Sequence, residues 1–142
     1  MSYSNLKKDP IFIDIALLIV RLFVGFAMLS HGFPKLQMLL EGGDIKFFDF
    51  LGLGPKISLG LTVFAEFVCS IFLILGLFTR ISVAFLTFTM IIASLVVHGS
   101  DSFDKRELSL LYLAVYVLIL VLGAGRFSVD WMIEKRRRSS EW

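Results

Sequence analysis

Four long apolar stretches fill most of this chain, at residues 11–33, 57–78, 81–98 and 108–125. A run of about 20 apolar residues matches the hydrocarbon thickness of a bilayer. Two of the stretches carry a charge near their middle, Arg21 in the first and Glu66 in the second. A charge at mid-span costs about 2.5–3.5 kcal/mol on insertion scales, so it faces the protein interior and needs a partner. An Arg21–Glu66 ion pair is the cheapest way to bury both.

A soluble helical bundle would keep one polar face on each helix. Residues 71–77 and 110–122 are instead apolar nearly all round. Hydrophobic residues make up 57% of the chain, well above the share in ordinary soluble domains. The expected fold class is therefore all-α, an integral membrane four-helix bundle, with one transmembrane domain over residues 1–142. The first stretch is too long for a signal-peptide core and lacks a small-residue cleavage site, so it is read as a mature helix.

Local signals refine this picture. Asp9 is an N-cap residue and Pro10 suits a first helical turn. Gly32-Phe33-Pro34 is expected to end the first helix, because proline disfavours helical geometry at the residue before it. Residues 44–51 mix aromatics and charges at helical spacing, which predicts a short interfacial helix in the first outer loop. A tight turn at Thr79-Arg80 makes the second and third spans antiparallel neighbours. A faint duplication also shows: spans one and three each finish in His-Gly, at His31-Gly32 and His98-Gly99.

The placement of charge sets an orientation. An even number of spans puts Lys7, Lys8, Arg80, Arg126 and the basic run 135–138 on one side with both termini. The other side holds Lys35, Lys46, Lys56, Lys105 and Arg106, offset by six carboxylates, Glu41, Asp44, Asp49, Asp101, Asp104 and Glu107. The positive-inside rule places both termini in the cytoplasm. The basic tail 131–142 then meets the lipid surface with Trp131 at the interface, and no nucleic-acid partner is expected. Arg80 and Arg126 are expected to satisfy the last carbonyls of spans two and four. Cys69 is the sole cysteine, which excludes an internal disulfide or a CxxC pair. It is read as a small residue packed inside the second helix.

On the first helix Arg21, Gly25, Met28, Gly32 and Lys35 recur every three or four residues and so share one stripe. Toward the outer surface His31, Lys35, His98, Asp101, Asp104 and Glu107 gather at helix ends, with Tyr112 about one turn from Glu107. Histidine changes charge near neutral pH, which suits proton exchange. No His-x-x-x-His or similar spacing is present, so no metal is expected.

The pattern Arg21-x-x-x-Gly25, then His31-Gly32-x-x-Lys35, resembles the DoxX family of small DoxX/DoxD-like four-helix membrane proteins. Glu66, the run Leu75-Gly76-Leu77-Phe78-Thr79-Arg80, His98, and Gly123-Ala124-Gly125-Arg126-Phe127-Ser128-Val129-Asp130 follow in order. The resemblance implies a multi-pass protein of a prokaryotic cytoplasmic (inner) membrane, related to a subunit of thiosulfate:quinone oxidoreductase. It also implies relatives that partner soluble redox proteins.

Three functions fit these residues. The first is a redox-linked subunit that binds a quinone, or a small anionic reductant such as thiosulfate. Its ligand-binding set is Arg21, His31, Lys35, Glu66, His98 and Tyr112, and its candidate catalytic proton carriers are Glu66, His31 and His98. The chain shows no electron carrier, so electrons come from a soluble redox partner or a small reductant, and catalysis by this chain alone stays open. The second is a non-catalytic membrane scaffold for soluble redox enzymes. The third is a transporter of a small solute, which with so few spans requires a homo-oligomer.

Overall fold

Helices take up most of residues 10–140, which are the residues described by the computed structural model of the chain. The helices are α1 (Ile11–Glu41), α2 (Pro55–Leu75), α3 (Thr79–Val97), α4 (Phe103–Leu122) and α5 (Val129–Ser140). No strand occurs among the described residues. The first three helices are long and apolar enough to cross a membrane. The fourth opens on Asp104, Lys105, Arg106 and Glu107, so its apolar part begins only at Leu108. The expected N-cap Asp9, with Lys7 and Lys8, lies outside the described residues.

Helix α1 packs most extensively along α2, α2 against α3, and α3 along α4, which touches α1 in turn. All four helices contribute to one core, for example Met28 from α1, Leu73 from α2, Leu86 from α3 and Tyr116 from α4. The outward faces are apolar as well: Phe23 is 74% exposed and Val121 71%. A shell of this kind suits a hydrocarbon solvent rather than water.

Two stretches wind as π-helix, residues Phe64–Cys69 within α2 and Ala93–Val97 at the end of α3. A π-turn bonds each N–H five residues back and occurs frequently at functional sites. Glu66 lies inside the first, and His98 directly follows the second.

Four local expectations fail or shift. Helix α1 does not stop at Gly32-Phe33-Pro34 but runs through Pro34 to Glu41. The proline ring lies on an exposed face, and contacts of Gly32 and Lys35 with α2 hold the helix on both sides of it. Residues 44–51 form no helix. Side-chain bonds replace helical ones there: Asp49 Oδ1 accepts the Gly54 N–H, and Ser58 Oγ accepts the Phe50 N–H. The duplication also weakens, because His98-Gly99 closes α3 whereas His31-Gly32 lies well inside α1. The turn between α2 and α3 falls at residues 76–78, with Gly76 and Phe78 both left-handed, and Thr79 already opens α3.

Candidate functional site

The site is built on a close approach of α1 to the π-turn of α2. A Cβ on Gly32 would fall 2.8 Å from the backbone carbon and oxygen of Glu66, so only glycine lets the helices touch here. Lys35 follows within one turn, and its Nζ donates to Glu66 Oε2 at 2.5 Å. The glutamate is 4% exposed. The lysine side chain is about a third exposed, at 30%, so the pair is dry on one side and open on the other.

The open side faces a cavity of about 700 Å³. Its polar edge comes from Lys35, Glu66 and His98, together with the hydroxyls of Ser58, Thr62 and Thr89. Its apolar walls come from Leu61, Phe64 and Ala65 of α2 and from Phe85, Phe88 and Ile92 of α3. Lys46, Phe47, Phe48 and Phe50 of the α1–α2 loop cover it, with the Phe50 ring edge-on to Phe88. An apolar cavity with a few converging polar groups is the usual form of a small-molecule site.

His98 is oriented from outside the cavity. Its Nδ1 lies 2.8 Å from Asp101 Oδ2, which leaves Nε2 as the remaining ring nitrogen. The hydrogen bond from His98, aided by Lys105, holds the Asp101 carboxyl below the usual carboxylate range. Arg106 closes the same end of α3 by donating from Nε to the Ser94 carbonyl at 3.0 Å.

Arg21 is not part of this site. The expected Arg21–Glu66 pair does not form, because Glu66 pairs with Lys35 and Arg21 lies at the opposite end of the bundle. Its Nε donates to Leu73 O at 3.0 Å, its Nη2 to Ile74 O and Phe127 O, and its Nη1 to Ala124 O. With 1% exposure, Arg21 is a clamp joining the end of α2 to the segment that follows α4. It performs the carbonyl-satisfying role expected of Arg80 and Arg126. Arg126 instead pairs with Asp14, whose Oδ1 also accepts the Arg126 backbone N–H. Asp130 completes this end by accepting the N–H groups of Phe78 and Thr79, a carboxylate capping α3 from a distant segment.

Of the residues expected to bind ligand, the cavity thus gathers Lys35, Glu66 and His98. His31 is exposed and Tyr112 buried, and their rings meet edge to face at 6.1 Å without lining the cavity. The loop residues Lys46, Phe47 and Phe50 were not anticipated in the site. The glycines on either side, Gly42-Gly43 and Gly52-x-Gly54, all have positive φ and mark the segment as a loop rather than a helix.

The DoxX family model matches residues 16–99, from α1 to the Gly99 that follows His98. A Haemophilus influenzae (strain ATCC 51907 / DSM 11121 / KW20 / Rd) protein described as "Uncharacterized protein" is 25% identical over 146 residues, covering 98% of this chain and 97% of the relative. No solved structure matches.

Proposed function

The chain belongs to the DoxX family and is a multi-pass membrane protein; from that premise we propose that it is a redox-linked membrane subunit whose cavity at Lys35, Glu66 and His98 binds a quinone. In this reading α4 is the fourth span, the bundle sits in a prokaryotic cytoplasmic membrane, and both termini face the cytoplasm.

The cavity of about 700 Å³ carries the proposal, because it joins an apolar wall to a charged pair at one edge. A quinone asks for both, a slot for its apolar tail and hydrogen-bond donors for its carbonyl oxygens. Lysine carries three N–H donors, and the described contact of Lys35 with Glu66 engages one. The remaining donors are available to a carbonyl oxygen in the cavity. Glu66 sits where it can hold a proton beside that oxygen, and the Nε2 of His98 offers a second exchangeable site. When bound, a quinone supplies two-electron redox chemistry with uptake of two protons. The electrons come from a soluble redox partner or a small anionic reductant, for which Lys46 at the cavity mouth provides a positive charge.

Purified protein should bind a short-chain quinone analogue. Glu66→Gln and Lys35→Met should each weaken binding about tenfold, the scale of one lost hydrogen bond in a buried site. Absence of binding by the natural protein, or unchanged binding in both folded variants, would overturn the quinone reading and leave a scaffold role ahead.

A further inference from the structure

A second cavity, of about 590 Å³, lies at the Arg21 end of the bundle and takes no part in the quinone reading. Three carboxylates line it, and each is already engaged: Asp14 by Arg126, Asp130 by the N–H groups of Phe78 and Thr79, and Glu134 by Arg138. The cation left over is Arg80. It has no carboxylate within ion-pair distance among the described residues, and its guanidinium leans over Gly123, 4.0 Å from where a Cβ would sit. Next to it in sequence, Thr79 is 1% exposed, and its buried hydroxyl has no hydrogen-bond partner among the described residues. A buried, unanswered hydroxyl costs free energy unless an acceptor reaches it. An exposed cation without a carboxylate partner and an orphaned donor, both lining one cavity, together ask for an anion.

The surroundings select which anion. Phe78 and Phe127, next in sequence to cavity residues, are 57% and 44% exposed, which suits contact with acyl chains. Trp131 lines the cavity, and the exposed basic residues 135–138 follow on α5. Positive charge beside exposed aromatics at the end of a membrane bundle matches the headgroup layer of an acidic leaflet.

We propose that this cavity binds the phosphodiester head of an anionic phospholipid, with Arg80 as its charged contact and the Thr79 hydroxyl as its hydrogen-bond donor. The lipid would sit on the joint between the α2–α3 turn and the segment following α4, and so would stiffen the part of the molecule that Arg21 holds together.

The test uses the full chain in a neutral detergent, challenged with phosphatidylglycerol, phosphatidylcholine or inorganic phosphate. Phosphatidylglycerol should raise the melting temperature and remain bound in native mass spectrometry, with the effect shrinking as salt increases. Arg80→Gln should weaken binding about fivefold to tenfold. Arg80→Lys should recover most of it, since lysine holds a phosphate as a point charge. Thr79→Val should weaken binding with the basic charges intact, and it remains decisive if Arg80→Gln does not fold. Equal protection by phosphatidylcholine would overturn the proposal. Protection by inorganic phosphate equal to that by phosphatidylglycerol would reassign the cavity to a soluble phosphate. Binding unchanged in both Arg80→Gln and Thr79→Val would also overturn it.

Discussion

Helix α1 sends one cation toward each end of the bundle, and the two are answered differently. Arg21 commits its guanidinium to carbonyls on two segments and lines neither of the two cavities described above. Lys35 engages a single carboxylate, and the pair borders about 700 Å³ of space. The contrast separates a structural charge from the one proposed to meet a ligand more sharply than burial does, since both ends contain a charge that is nearly inaccessible. What distinguishes them is the donor capacity left over once the protein's own partners have been counted.

The largest expected effect breaks the structural end. Arg21→Leu removes the side-chain donor from the carbonyls of Ile74, Ala124 and Phe127 and leaves Leu73 O with only the Gly76 N–H, and should cost about 3–5 kcal/mol, the scale of disrupting a buried charge network. Thermal unfolding in detergent measures it. Glu66→Gln should be milder by the same assay, because Lys35 can still reach water. Equal losses at the two ends would erase the distinction drawn between them.

A smaller effect sharpens the functional end. Gly32→Ala drives a methyl group into the Glu66 backbone and should cost about 1–3 kcal/mol as an overpacked contact. Affinity for the quinone analogue should fall with it, since Lys35 moves with α1. Full stability together with full binding in this variant would show that the close approach is unnecessary.

The smallest effect lies outside the bundle. The native Asp101 carboxyl titrates below its unfolded value, so its contribution to stability is present above the ordinary aspartate pKa and is lost as pH falls through the lower native value. Asp101→Asn should therefore melt slightly below the natural protein near neutral pH. The two melting curves should converge in acid. A gap that widens as pH falls would have the wrong sign for the His98–Asp101 bond.

Much of this could be read before folding was considered. The stripe from Arg21 to Lys35 faces inward as its spacing predicts: Arg21, Gly25, Met28 and Gly32 are buried and Lys35 is half-buried. Pairing was harder to read, for a reason of depth. Ending α1 at Pro34 centres Arg21 in its span, level with Glu66, whereas a helix running to Glu41 moves Arg21 toward one end. Arg21 and Lys35 are then separated by about 21 Å of helix, and only Lys35 is level with Glu66. The carbonyls that receive Arg21 belong in part to Ala124 and Phe127, more than 100 residues away. No local spacing in the sequence reports such a contact. The aromatic loop is not legible in the sequence, because charged and aromatic residues at helical intervals look alike whether they lie on a membrane surface or fold back over a cavity.

The π-turn at Phe64–Cys69 also sets a register along α2. It accommodates one more residue than an α-helical turn would, and each residue of an ordinary helix advances about 100° and 1.5 Å. The two halves of α2 are therefore out of phase with a single regular helix. The π-turn itself aims Glu66 at α1, and the half that follows it aims the Leu73 and Ile74 carbonyls at Arg21. Removing one residue between them would restore regular winding, but it would also swing one half away from its partner by roughly a quarter turn. The extra residue acts as a phase offset, allowing one continuous neighbour, α1, to be met at two depths by chemically different groups.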